Sequence, residues 1–191
     1  MKPINNWENV KPMSSGIETL PAGAYVCEIK QCLEKPNKNG GSHLEVSFDV
    51  FEGDHKGFFE KDYRSQDRED KFWRGIIRQN VPDPNSDKYE VQARFFRTFT
   101  DALEASNLGY HWDWNETALK GKKIGITFGE REKQSQKGTI YTITEAREVI
   151  DAASAREGHF KMPEKKTLAH TSNSFSVLNS NPVSDNGDLP F

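Results

Sequence analysis

The feature that most constrains the fold of this 191-residue chain is a change in hydrophobic periodicity along its length. Residues Leu44–Val50 alternate between apolar and polar side chains, and Gly23–Lys30 show the same alternation. A period of two is typical of a strand with one buried face. Glycine-rich turns connect these runs to a third predicted strand, Phe58–Arg64, so the first third of the chain predicts an antiparallel meander.

Helical spacing replaces this alternation in the middle of the chain. Apolar side chains recur at helical intervals between Phe72 and Ile77 and predict a helix over residues 66–79; a similar pattern predicts a second helix over residues 92–106. Alternation then returns in two strands that flank a polar loop and precede a short helical turn. These last elements are predicted at Lys123–Phe128, Thr139–Ile143 and Asp151–Glu157, with the polar loop at residues 130–138.

The order of these elements predicts a mainly β domain with inserted helices. Five strands with helix between the third and the fourth is the order of an OB-fold, a five-stranded Greek-key barrel that binds oligonucleotides. A plain α+β domain with a meander sheet is the alternative. The predicted OB-fold-like domain spans residues 22–160, has a helical insertion at about 65–110, and follows an irregular segment, residues 1–21.

The composition changes again at Lys161, where the chain becomes rich in Ser, Thr and Asn. Such a segment buries too little apolar surface to offset its ordering entropy, so residues 161–191 are predicted to be a flexible, disordered tail. Its last residue, Phe191, has no local means of burial, which predicts docking into a pocket of a partner. The residues predicted to bind that partner are Asp185, Asp188, Leu189, Pro190 and Phe191.

The bulk composition restricts the functions that remain. A hydrophobic fraction of 34% with an aromatic fraction of 11% fits a compact core with a polar appendage. The net charge of −3 argues against a nucleic-acid binder that relies on a global positive field. It leaves open a local basic groove with exposed aromatic rings.

The sequence carries no pattern of an enzyme or a metal site. A phosphate-binding glycine loop, a nucleophile elbow and a His-Glu-x-x-His motif are all absent. Cys27 and Cys32 have no neighbouring Cys or His at the spacing of a metal site. Five residues apart on a strand, they are predicted to face opposite sides and therefore not to form a disulfide with each other. The prediction is two reduced structural thiols. We therefore expect no catalytic residue, metal or cofactor.

The N-terminus lacks an apolar signal core, and no stretch reaches membrane-spanning length. A soluble intracellular protein without a membrane partner is expected.

Three motifs and the C-terminal tip resemble known families. The tip, Asp188–Phe191, resembles the Asp-(Leu/Ile)-Pro-Phe ending of bacterial single-stranded DNA-binding proteins, although Asn186-Gly187 interrupts the acidic run here. Residues 23–29 (Gly-x-Tyr-x-Cys-x-Ile), 119–132 (Gly-Lys-Lys and Gly-Glu-Arg-Glu) and 156–163 (Arg-Glu-Gly-x-Phe-Lys-x-Pro) resemble a family of small phage proteins. That family was long described as a domain of unknown function and occurs among replication and recombination genes.

The second resemblance covers most of residues 20–165. Together with the tip, it implies a phage single-stranded DNA-binding protein in the cytoplasm of the infected bacterial host. The tip would recruit replication, recombination or repair proteins. The alternative is an adaptor that binds no DNA and mimics the host tip. Self-association into a homo-oligomer stays open.

Single-strand binding needs cations for the phosphates and aromatic faces for the bases, each stack contributing about 1–3 kcal/mol. Candidate cations lie in the two hairpin loops and around the start of the fourth strand: Lys35, Lys38, Lys120, Lys122, Lys123, Arg131, Lys133 and Lys137. Candidate aromatic platforms are Phe51, Tyr63, Trp112, Trp114 and Tyr141, whereas Phe48, Phe95, Phe99 and Phe128 are predicted to be core. The alternative interpretation is that the cations are ordinary solvated surface and that the two tryptophans only pin a linker.

Overall fold

A computed structural model of the chain describes residue 5, residues 18–38 and residues 40–168. The described residues form one five-stranded antiparallel sheet with three α-helices and a short 3₁₀ helix, which confirms the mainly β class with inserted helices. The strands are β1 Gly23–Pro36, β2 Ser42–Val50, β3 Ile76–Asn80, β4 Lys123–Gln134 and β5 Ile140–Ile150. The helices are α1 Phe58–Ser65, α2 Tyr89–Ser106 and α3 Ala152–Glu157, with the 3₁₀ helix at Glu116–Leu119.

The sheet has the strand order β3-β2-β1-β4-β5. Residues Gly23–Glu28 of β1 pair with β4, and Cys27–Pro36 pair with β2. The register with β2 shifts between Ile29 and Gln31, which marks a bulge in β1. The two edge strands, β3 and β5, also approach each other.

The core lies between the sheet and the helices. Phe48 of β2 meets Phe59 of α1 and Phe128 of β4 edge to face, with ring centroids 5.4 and 6.0 Å apart. Helix α2 adds Phe96, Phe99 and Leu103, all of them buried. The predicted core positions Phe48, Phe99 and Phe128 are therefore confirmed.

Phe95 was predicted to be core, and that prediction is wrong: it is 65% exposed. The buried side of α2 is formed by Phe96, Phe99, Thr100, Ala102 and Leu103. At about 100° per residue Phe95 lies at the margin of that side, in the turn before Phe99, rather than at its centre.

The predicted third strand at Phe58–Arg64 is also wrong, because these residues form α1. The helix begins where the buried carboxyl group of Asp49 accepts hydrogen bonds from the backbone N–H groups of Phe59 (2.9 Å) and Glu60 (3.2 Å). These amides belong to the first turn of α1 and have no partner within the helix. A carboxyl group on β2 thus caps the helix that follows it.

The predicted helix over residues 66–79 is wrong as well. Residues 66–75 have no regular structure, and Ile76–Asn80 form β3, antiparallel to β2. Ile76 and Ile77 pair with Ser47 and Val46 of β2. The meander of three strands is therefore present, but its third strand lies later in the chain than predicted.

The remaining predicted elements are confirmed with shifted bounds. The second helix is α2, and the C-terminal hairpin is β4–β5, whose strands include most of the predicted loop 130–138. The short helical turn is α3, where Asp151 accepts a hydrogen bond from the Ser154 amide (2.8 Å) and Gly158 ends the helix at φ 74°.

Cys27 and Cys32 both point into the core, which corrects the prediction that they face opposite sides. The bulge between them changes the phase of the alternation, so both side chains enter the same apolar interior. Both thiols are free. Burial raises the pKa of Cys32 to about 12 and also raises the pKa of Cys27, as expected for structural thiols.

The predicted tail begins too early at Lys161. Lys166 forms a parallel β-bridge to Arg131 of β4, so the chain is ordered against the domain up to Leu168. The rest of the predicted tail and most of the predicted irregular segment 1–21 lie outside the described residues. None of the described helices is long and apolar enough to span a membrane.

Replacing Asp49 with Ala should destabilise the fold by about 3 kcal/mol, because the first-turn amides of α1 lose a buried charged acceptor. Urea unfolding would measure the loss. The control is Asp54→Ala in the following exposed turn, which should change stability by less than about 0.5 kcal/mol. Equal losses in the two variants would contradict the capping role of Asp49.

Candidate functional site

A groove of about 690 Å³ lies between the two edge strands of the sheet. Phe48, Phe59 and Phe128 of the core form its floor. One wall consists of α1, residues 72–74 and β3, and the other is the β4–β5 hairpin. The aromatic and cationic side chains of these walls are Phe58, Phe72, Trp73, Arg74, Arg78, Lys133 and Tyr141.

The first wall is fixed to the sheet through Trp73 and Gly75. The indole N–H of Trp73 donates to the carbonyl oxygens of Phe48 (3.0 Å) and Gly75 (3.1 Å), and the Phe48 amide donates to Gly75 (2.8 Å). A side chain at position 75 would lie within 2.8 Å of the Phe59 ring, so only glycine fits. These contacts hold the segment before β3 against the end of β2.

Phe72 projects from this wall with 46% of its surface exposed. The guanidinium carbons of Arg68 and Arg74 each lie 5.2 Å from its ring centroid. Arg74 also pairs with Asp62 of α1 at 2.7 Å. Phe72, Arg68 and Arg74 therefore form a cluster, the Phe72 arm, that presents one aromatic ring and two planar cations.

The second wall presents Tyr141 and Lys133, which are opposite each other in the β4–β5 ladder. Both line the groove, and Tyr141 is 44% exposed. The hairpin also carries Glu145, whose carboxylate lies 3.4 Å from Arg131 and 2.9 Å from Arg147. An acid that lines the groove is thus neutralised by two arginines.

Arg78, the basic residue of β3, is also paired with a carboxylate. Arg78 lies 2.9 Å from Glu45, which is shared with Lys35 at 2.6 Å. The pKa of Glu45 is held below its ordinary value, first by the hydrogen bond from Lys35 and then by that from Arg78. The two arginines of the groove, Arg74 and Arg78, are therefore both paired with carboxylates. A bound anion would share these arginines with the carboxylates or displace the carboxylates from them.

Of the residues predicted to contact DNA, the structure brings Lys133 and Tyr141 into the groove. Tyr63 lies on α1 behind the first wall, with its ring centroid 5.9 Å from that of Trp73. The predicted third strand on which Tyr63 would have lain is absent, because these residues form α1.

The other predicted cations do not line the groove. Lys35 pairs with Glu45, Arg131 pairs with Glu145, and Lys38 and Lys137 are exposed in the turns after β1 and β4. Lys120 is exposed just before β4.

Phe51 forms a separate cluster with the cations at the start of β4. The ammonium nitrogen of Lys123 lies 3.2 Å from its ring centroid, and that of Lys56 lies at 5.6 Å. Lys123 also pairs with Glu28, and Lys122 lies 4.5 Å from the ring of Tyr110. The ring of Phe51 is thus a cation–π acceptor already.

The two tryptophans of the linker differ in their surroundings. Trp112 packs against the core, which favours the pinning interpretation for this residue. Trp114 is 75% exposed, has a φ of 63°, and stacks on Phe96 with ring centroids 5.9 Å apart. It offers an open aromatic face outside the groove.

Sequence reasoning missed Phe72, Trp73, Arg74 and Arg78, because it placed them on a predicted helix. The signal that could have found them is the run Lys71-Phe72-Trp73-Arg74, which places two aromatic residues between two cations. That composition is typical of surfaces that bind single strands. The predicted partner-binding tip, residues 185–191, lies outside the described residues.

Residues 163–168, here called the strap, lie along the free edge of β4. The Glu132 amide donates to the Lys166 carbonyl (2.8 Å), and the Lys166 amide donates to Glu130 (3.0 Å). Lys165 adds an ion pair with Glu132 at 3.0 Å. The strap therefore extends the β4–β5 hairpin, which forms one wall of the groove, along the edge of β4.

The chain matches no protein-family model and no curated protein. Within residues 18–38 and 40–168, no three His, Cys, Asp or Glu side chains are grouped so as to hold a metal ion.

Replacing Gly129 with Ala should displace the strap. A methyl group there would lie 2.7 Å from Cβ of Pro163 and 3.0 Å from Nε of Arg147, an overlap that costs about 1–3 kcal/mol. Hydrogen exchange should accelerate at the amides of Lys166 and Glu132. The control is Thr142→Ala, an exposed position of the same hairpin. Unchanged protection in Gly129→Ala would show that the strap does not depend on this close approach.

Proposed function

We propose that this protein binds single-stranded DNA in the groove between β3 and β5. The observation that carries the proposal is the lining of this groove: exposed aromatic rings and cations face each other above a floor of core phenylalanines. Bases stack on aromatic faces with little regard to sequence, and cations follow the phosphates.

The fold supports this proposal. An OB-fold is a partly open, five-stranded barrel that binds oligonucleotides on the face of its second and third strands and through the loops β1–β2 and β4–β5. Here β3 and β5 are the edges of a five-stranded sheet and approach each other, and α2 follows the third strand. We propose that the domain is an OB-fold, and this strand order supports the proposal.

In the proposed complex, Phe72 and Tyr141 stack on bases from the two walls of the groove. Arg74, Arg78 and Lys133 neutralise phosphates, and the hairpin carries Lys137 at its turn. A duplex keeps its bases stacked on each other, so this arrangement favours single strands.

The resemblance of residues 20–165 to small phage proteins and of the tip to bacterial single-stranded DNA-binding proteins supports the same function. We propose that the tip, residues 185–191, recruits replication, recombination or repair proteins in an infected bacterium. The domain would then hold the DNA while the tip holds the partner.

A fluorescence anisotropy titration tests the binding proposal, with a labelled oligo-dT of about 30 nucleotides and a matched duplex at two salt concentrations. We expect tighter binding to the single strand and a loss of affinity as salt rises. Equal, negligible binding to both would contradict the proposal and favour an adaptor that binds no DNA.

Replacing Tyr141 with Ala should weaken binding to oligo-dT by about 5- to 100-fold, because one base stack is lost. Tyr89→Ala is the matched control: Tyr89 of α2 is 43% exposed, close to the 44% of Tyr141, and does not line the groove. It should leave the affinity unchanged. Equal effects of the two variants would show that the groove is not the binding site.

Removing residues 184–191 should leave the fold intact and abolish capture of host replication or repair proteins. The measurement is an affinity pull-down from bacterial lysate with full-length and truncated protein. The same set of proteins bound to both would contradict the role of the tip. Phe191→Ala is the smaller change, expected to act in the same direction because it removes the ring that needs a pocket.

A further inference from the structure

Gln66 is a buried polar residue at the end of α1, outside the lining of the groove. Its side-chain oxygen accepts a hydrogen bond from the Phe72 amide (3.0 Å), and its nitrogen donates to the Phe72 carbonyl (2.9 Å). The same nitrogen lies 3.2 Å from a carboxylate oxygen of Asp62. One amide side chain therefore satisfies both backbone polar groups of Phe72.

These contacts replace the backbone ladder that this part of the chain lacks. Residues 66–75 belong to no helix or strand, so side chains must fix their conformation. The Gln66 side chain bonds the N–H and C=O groups of Phe72, as the backbone of a paired strand does in a sheet. Asp62 completes the arrangement, because its two carboxylate oxygens accept from Gln66 and from Arg74 (2.7 Å).

Phe72 is the residue that the two arginines of the Phe72 arm share. Arg68 and Arg74 flank its ring at equal distances of 5.2 Å, and Arg68 is held in turn by Asp70, with 2.7 Å between Nε and a carboxylate oxygen. The Phe72 ring already accepts two cation–π contacts, so a stacking base must share the ring with a guanidinium group or displace one. Because the backbone of Phe72 is fixed, ordering the ring adds no further cost to binding.

We propose that Gln66 is the positioning residue of the Phe72 arm: it touches no ligand and sets the affinity for single strands by holding Phe72 in place. This inference rests on the proposed function of the groove. It predicts that the contribution of Phe72 to binding depends on the Gln66 amide.

The test uses oligo-dT of about 30 nucleotides and the full-length protein. Gln66→Met preserves length and removes the hydrogen bonds; Phe72→Ala removes the ring. We expect each to weaken binding by about tenfold. The double variant should bind about as weakly as Phe72→Ala alone, because two residues acting through one contact are not additive.

Two controls separate positioning from general loss of structure. Gln79→Met makes the same chemical change on β3, outside the groove lining, and should leave affinity unchanged. Limited trypsin digestion should cut Gln66→Met faster at Arg68 and Lys71, with the rest of the domain protected. If Gln66→Met does not fold, Gln66→Glu removes the donated hydrogen bonds at nearly the same volume and should show the same loss of affinity.

The outcomes distinguish the two proposals. Additive losses in the double variant, or full affinity in Gln66→Met when Phe72→Ala binds weakly, would overturn the positioning role and leave the groove assignment standing. Full affinity in Phe72→Ala would overturn the inference, and it would remove Phe72 from the proposed DNA-binding surface.

Discussion

Strand β1 pairs with β4 along its first half and with β2 along its second half. It is therefore the central strand of the sheet, and the positions of the other four strands depend on it. The bulge after Ile29 lets both halves bury side chains in the same core, including Cys27 and Cys32. Because β2 continues to β3 and β4 pairs with β5, this arrangement leaves β3 and β5 as the two edges. The groove is the space between those edges, and its floor is the core that β1 helps to enclose.

The elements that could be predicted from the sequence are those whose signal is local. The alternation in Leu44–Val50 specifies a strand with one buried face, whatever the rest of the chain does. Helix α2 is similar, since Phe96, Phe99 and Leu103 define its buried side and Asn107 marks its end. The β4–β5 hairpin was found for the same reason, and with it Lys133 and Tyr141.

The elements that were missed depend on contacts between distant parts of the chain. The apolar residues of α1, Phe58, Phe59 and Tyr63, fit helical spacing. The carboxyl group that caps the start of the helix is that of Asp49 on β2, ten residues before Phe59. Residues 66–75 take their conformation from Gln66 and from the close approach of Gly75 to the end of β2. One wall of the groove is therefore defined by tertiary hydrogen bonds, and periodicity carries no information about them.

The ion pairs of the groove decide which interactions contribute most to the proposed binding. Arg74 and Arg78 are already paired with Asp62 and Glu45, so a phosphate would gain only the difference between two ionic contacts. The exposed ring of Tyr141 can stack on a base without displacing a carboxylate. Stacking therefore contributes a larger share of the free energy of DNA binding than the ionic contacts do. A net charge of −3 is then compatible with binding a polyanion, because the acids that balance the charge also hold the cations of the groove in place. On this account, affinity for single strands depends less steeply on salt than it would for a surface of unpaired lysines.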